Sequence, residues 1–180
     1  MPTYSNETIA RILKSVKTIA MVGVSANPVR PSWFVMKYLQ EKGFRVIPVN
    51  PGLAGQELLG ERVYGSLAEI DQPVDMVDIF RNSEAAGEIV DEAIALKDKL
   101  GARVIWMQLT VINEEAAARA EAAGFEVVMD RCPKIEYGRL CGDIGFMGVH
   151  RRVIDNKRKA LGAGRGALSR APLGSGKGRL

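Results

Sequence analysis

A doubly wound α/β domain with a parallel sheet is the fold this sequence predicts, and three observations predict it. Short Val/Ile-rich runs alternate with helix-length amphipathic segments along residues 5–140. Glycines stand where three of those segments end, at Gly43, Gly101 and Gly124. The apolar runs lack a polar alternation, as strands covered on both faces do.

The elements follow in order. Ser5 is placed to cap a helix over residues 7–16, whose apolar face is Ile9, Ile12, Leu13 and Val16. Residues 18–24 form the first strand, and residues 32–42 a helix carrying Trp33, Phe34, Met36, Tyr38 and Leu39. The second strand is 45–49, followed by a turn-rich stretch, PGLAGQELLG. The third strand, 74–80, leads into a helix opened by Ser83 and running to Leu100. Its acids Glu84 and Glu88 lie early and its Lys97 and Lys99 late, as the helix dipole prefers. The fourth strand is 103–108. Asn113 caps an Ala-rich helix ending at Gly124, and residues 125–129 form the fifth strand. Trp33, Tyr38 and Trp106 are assigned to the core in preference to a dimer surface.

Charge divides the chain. The 180 residues carry a net charge of +4, but residues 151–180 hold nine basic side chains against one acid, Asp155, leaving −4 for residues 1–150. Segment 141–180 therefore reads as a basic, Gly-rich tail, flexible by composition, and the basic balance says nothing about the ligand of the main domain. No apolar run reaches the ~18 residues of a spanning helix, and the first residues lack a signal-peptide core. A cytoplasmic setting is expected, with no membrane span. Cys132 and Cys141 make neither a metal pattern nor a disulfide framework.

In such sheets ligands bind beyond the carboxyl ends of the strands. The first strand runs into GVSANPVRP, a turn leading into a helix, which brings backbone N–H groups and a helix N-terminus to a phosphate. It is not the G-x-G-x-x-G of a dinucleotide fold, and the second strand ends Val49-Asn50-Pro51 without the acid that holds a ribose. An NAD(P)-binding oxidoreductase domain is the weaker alternative for that reason. Arg30 and Arg81 each lie just past a strand and before a helix, positions suited to an anion. The lone His150 lies far in sequence from Cys132 with no acid–His–nucleophile set visible, and Asp75, Asp78 and Asp130 show no paired spacing for acid/base work. No catalytic residue is assigned, no metal site is expected, and a binding module is favoured over an enzyme.

The blocks VGVSANPVRPSWFVMKYLQEKGFRVIPVNP, GSLAEI, VDMVDIFRNSEA, IWMQLTVINEEAA and VVMDRCPKIE, in this order, resemble the stand-alone CoA-binding domain proteins, relatives of the nucleotide-binding domain in the succinyl-CoA synthetase α-subunit. The resemblance covers residues 9–140 and implies a Rossmann-like five-stranded parallel sheet in a single domain, with coenzyme A or an acyl-CoA as ligand. By it, Gly23, Ser25, Ala26, Asn27 and Pro28 form the pyrophosphate loop, and Asn50 and Pro51 flank the adenosine end. Phe80 and Arg81 line the middle, and Met107 and Gln108 the approach of the pantetheine arm. The synthetase carries a lysine after its Pro-Gly, where this chain has Leu53, so one charge contact is missing. The synthetase's phosphohistidine domain is absent as well, and acyl-CoA synthesis is not expected. A sensor, carrier or regulatory role is implied, with a homodimer or an unidentified protein partner left open.

Cys132 is a candidate redox thiol. It follows the last strand, with Arg131 adjacent to favour thiolate and a mixed disulfide with the CoA thiol as the expected product. Nucleic acid is expected to meet this chain only weakly and through the tail, which offers charge without stacking aromatics. Truncation after residue 150 is expected to abolish any electrophoretic shift of nucleic acid; a shift that persists contradicts this reading.

Overall fold

The computed structural model describes residues 3–141; the basic tail and His150 lie outside the described residues. Five parallel strands form the main sheet: β1 (Thr18–Val22), β2 (Arg45–Val49), β5 (Met76–Ile79), β6 (Val104–Met107) and β7 (Glu126–Val128), in the order β2-β1-β5-β6-β7. The remaining two, β3 (Glu57–Leu58) and β4 (Glu61–Arg62), make a small antiparallel hairpin turned at Leu59 and Gly60, both at positive φ.

Helices cover both faces. On one, α3 (Ser83–Ala95) and α5 (Glu114–Ala122) bury Ala86, Val90, Ala93, Ala116 and Ala120 against Ile47, Val77, Ile79, Ile105 and Met107. On the other, α1 (Asn6–Ser15), α2 (Pro31–Glu41) and α6 (Pro133–Leu140) pack Ile9, Leu13, Met36, Leu39 and Tyr137 against Met21, Val46, Met76 and Trp106. Alternate strand residues feed opposite layers, as the two-residue pleat requires. This is the doubly wound Rossmann-like domain that the sequence predicts.

Three local features depart from the sequence expectation. The helix expected over 83–100 is interrupted at Leu96 and resumes as α4 (Lys97–Leu100), where Lys97 donates to the Ala123 carbonyl and lies 5.0 Å from the Phe125 ring centroid. Helix α6 was not expected. Pro133 opens it, and its buried Pro133, Glu136, Tyr137 and Leu140 recur at helical spacing. The β3–β4 hairpin has two-residue strands, too short for a period to declare itself.

Helix ends follow their sequence signals. Ser5 Oγ accepts from Thr8 N at 3.1 Å, and Asn113 Oδ1 from Ala116 N at 2.9 Å. The cap of α3 is Asn82, one residue before the Ser83 expected to open the helix, with Oδ1 accepting from Ala85 N at 2.9 Å.

One carboxyl group interrupts the apolar sheet. Asp78 is centred in β5 between Met21 of β1 and Trp106 of β6, wholly buried, and both its oxygens accept from Gln108 Nε2, at 2.9 and 3.2 Å. Burial pushes its pKa up to about 7, against the smaller opposing effect of the Gln108 hydrogen bond. A carboxyl raised on folding supports the fold fully below its unfolded pKa, near 4, and that support is lost as pH rises through about 7. The loss is on the order of 4 kcal/mol. Asp78→Asn is therefore expected to melt several degrees above the parent at pH 8, with the gap closing towards pH 4.5 in thermal scans. An equal gap at both pH values contradicts this assignment.

Candidate nucleotide site at the carboxyl edge of the sheet

The sheet order reverses between β1 and β5, and the loops leaving these strands part there, opening the position at which α/β sheets hold ligands. Gly23 makes the geometry possible. Its φ is +88°, and a Cβ there would stand 2.5 Å from the Phe80 carbonyl oxygen and 2.9 Å from Arg81 Cδ. Any side chain at 23 would force the two strand ends apart.

Beyond Gly23 the loop is held by its own polar side chains. Ser25 N donates to Ser32 Oγ (3.0 Å), Asn27 N to Ser25 Oγ (3.1 Å) and Val29 N to Asn27 Oδ1 (3.1 Å), while Arg30 N donates to the Asn27 carbonyl (3.0 Å). Ser25 and Asn27 thus shape the loop, a use of such residues that is common in turns. Ala26, Asn27, Pro28 and Arg30 are exposed on it. Arg30 precedes α2 at its N-cap position and no side chain caps the helix; Pro31 has no N–H and Trp33 N donates to the Arg30 carbonyl at 3.1 Å, which leaves Ser32 N as the first-turn donor without a partner among the described residues.

The other strand ends join this loop in a row. Asn50 Nδ2 donates to the Val24 carbonyl at 2.7 Å and its Oδ1 accepts from Gly52 N at 2.8 Å, clamping the β1 and β2 loops together. Pro51, exposed, opens the short 3-10 turn Pro51–Leu53, in which Leu53 packs towards the core. Phe80 is half-buried, and Arg81 is exposed with its stem against Gly23. Among the described residues neither Arg30 nor Arg81 has a carboxylate partner. Gln108 N donates to the Ile79 carbonyl at 3.3 Å, and this bond attaches the β6 end to the row. Val29, 73 % exposed, and Phe34, 46 % exposed, add an apolar rim beside the loop.

Eleven of the residues singled out in the sequence thus share one edge: Gly23, Ser25, Ala26, Asn27, Pro28, Arg30, Asn50, Pro51, Phe80, Arg81 and Gln108. Two do not behave as expected. Met107 is fully buried in the core beneath α3 and α5, so its side chain lines no approach. Cys132 sits at the N-cap of α6, buried in the opposite layer. Its thiol is pushed up by burial first, and by the negative charge of Asp78 as well, while the amides of Ile135 and Lys134 act the other way. Arg131, expected to favour thiolate, is instead 3.8 Å from Glu136 and donates to the Asp130 carbonyl at 3.0 Å. Cys132 is a protonated core thiol.

Sequence spacing gave Asp78 no role, because its partner is an amide thirty residues away rather than a second carboxylate. Beyond β6 and β7, Thr110 and Asp130 both hold positive φ, joined by Thr110 N to Asp130 Oδ1 at 2.8 Å. For a β-branched residue such as Thr110 that conformation is strained. Asp75 serves the opposite edge, where its Oδ2 accepts from Lys17 N and Thr18 N at 2.8 and 3.0 Å. No group of metal-ligating side chains is assembled among the described residues, and no helix there is long and apolar enough to cross a membrane.

Comparison with known proteins agrees with this geometry. The chain is 39% identical over 137 residues to the uncharacterized protein YneT of Bacillus subtilis (strain 168), an alignment covering 76% of this chain and 97% of that one. Among solved structures, a hypothetical protein of Pyrococcus horikoshii OT3 is 40% identical with a TM-score of 0.71, over 77% of this chain and 94% of that one. A Thermus thermophilus protein is 36% identical, also with a TM-score of 0.71, over 76% and 99%. Residues 17–138, which hold the whole sheet and every strand end of the row, match the family model described as a CoA binding domain, and the chain belongs to that family.

Proposed function

We propose that this protein binds coenzyme A or an acyl-CoA along the carboxyl edge of its sheet and acts as a carrier, sensor or regulatory partner. The observation that carries the reading is the pair of guanidinium groups, Arg81 with its stem against Gly23 and Arg30 at the end of the loop that Gly23 opens, neither with a carboxylate partner among the described residues. An anion is the missing counterpart, and a pyrophosphate supplies two charges to a loop that ends in an uncapped helix N-terminus. The adenosine end lies towards Asn50 and Pro51, and the pantetheine arm runs past Phe80 towards Gln108. Leu53 supports the adenosine side by packing alone. NAD is disfavoured because the β2 end carries no acid, and the Asn50 amide is already engaged by Val24 and Gly52.

Isothermal titration with coenzyme A, acetyl-CoA, ADP and NAD is the test. Coenzyme A and acetyl-CoA are expected to bind, ADP more weakly and NAD not measurably; tight NAD binding without coenzyme A overturns the reading. Arg81→Ala is expected to weaken coenzyme A by about 1–3 kcal/mol, the worth of a charge-assisted hydrogen bond. Unchanged affinity removes Arg81 from the site.

A further inference from the structure

Gln108 is buried to 6 % exposure, and its Nε2 faces the Asp78 carboxylate, the only orientation of the amide that an ionised carboxylate accepts. That turns Oε1 away from Asp78. No donor among the described residues reaches Oε1, yet no buried side-chain oxygen there lacks a partner, so Oε1 keeps some exposure, on a residue that directly follows β6 at the carboxyl edge. It is a hydrogen-bond acceptor at the same sheet edge as the half-buried Phe80, which lies just past the end of β5, two residues and about 7 Å along the chain from Asp78.

On the β2 side of the phosphate loop the Asn50 amide is spent on Val24 and Gly52. An arm leaving the phosphates therefore meets its open polar group on the β6 side, at Gln108.

Building on the coenzyme A reading, we infer that Asp78 and Gln108 form a proton-operated polarity switch for the sulfur end of the ligand. With Asp78 ionised, Gln108 Oε1 faces the site and accepts from a free thiol. With Asp78 protonated, its O–H donates to Oε1, the amide turns over, and Nε2 faces the site to donate to a thioester carbonyl. One site thereby changes preference between coenzyme A and acyl-CoA with a single proton and no backbone movement.

The position of Asp78 suits this. Burial holds its pKa at about 7, so both forms are populated near neutrality. Met21 and Trp106, its neighbours in the sheet, do not titrate. From the entry of α6, the Cys132 thiol is the titratable group that senses it, and the thiol stays protonated through this range. Burial and the Gln108 hydrogen bond set that pKa, and the charges of α1, Glu7, Arg11 and Lys14, are exposed to solvent. On α2, Lys37 lies over Trp33 and the following Lys42 over Tyr38; at α6, Lys134 lies over Tyr38, while Arg131, Glu136 and Arg139 pair among themselves.

Two measurements on the full chain test the switch. The side-chain amide resonances of Gln108 in 15N-labelled protein, assigned by their loss in Gln108→Leu, are expected to titrate once between pH 5.5 and 8 without ligand and to stay fixed in Asp78→Asn. Across the same range the affinity ratio of acetyl-CoA to coenzyme A is expected to rise about five-fold as pH falls, the equivalent of one neutral hydrogen bond. That rise is expected to vanish in Asp78→Asn. The nucleotide phosphates are common to both ligands and cancel in the ratio. A fixed Gln108 resonance in the parent, a flat ratio, or a ratio that still moves in Asp78→Asn overturns the inference. If the resonance titrates but neither nucleotide binds, the coenzyme A reading falls and the ligand half of the inference with it, while the proton switch stands.

Discussion

Everything at the carboxyl edge depends on the closeness of β1 and β5 where their loops part. The Phe80 carbonyl and the Arg81 stem occupy the space a Cβ would take at Gly23. That contact fixes where the Ser25–Arg30 loop begins and where the Arg81 guanidinium is held. It also explains why one glycine suffices. A dinucleotide loop spends further glycines on approach to the phosphates and on helix packing. Here Ser25, Asn27 and Ser32 build the turn from side-chain hydrogen bonds instead, and the loop is tied to its own helix before any ligand arrives.

The row of strand ends is a hydrogen-bonded unit rather than a set of separate loops. Asn50 links β2 to β1, Gly23 N reaches the Val49 carbonyl at 2.9 Å, Phe80 N the Val22 carbonyl at 2.8 Å, and Gln108 N the Ile79 carbonyl. Further out, Arg131 N approaches the Met107 carbonyl at 3.4 Å, and Trp106 Nε1 donates to the Arg131 carbonyl at 2.7 Å. An edge tied in this way is largely pre-formed, and less ordering entropy is lost when a ligand settles on it.

Much of this was legible in the chain itself. The five strands declared themselves as apolar runs because both faces of a parallel sheet are covered. The loop proposed to hold phosphate showed in the passage from strand to Gly23 to a Pro-opened helix. What stayed hidden had physical reasons. Whether Met107 or Gln108 faces the site depends on the pleat, and a one-residue uncertainty in the strand end reverses the answer. Arg131 stands beside Cys132 in sequence, but α6 supplies Glu136 to capture it. Asp78 looked like an ordinary strand acid because its side chain's hydrogen-bond donor among the described residues, Gln108, comes from the end of the neighbouring strand.

The placement of the two tryptophans gives the molecule an optical asymmetry. Trp106 is sealed in the core with its indole N–H engaged, and at a fixed pH, which holds the charge of its neighbour Asp78, its surroundings are constant. Trp33 stands in the first turn of α2, half open to water, edge-on to Phe34 at 6.0 Å and with the Lys37 ammonium 5.3 Å from its ring centroid. An anion arriving at that helix terminus changes the field and hydration of one indole and leaves the other as an internal standard. The chain carries both a reporter and its reference.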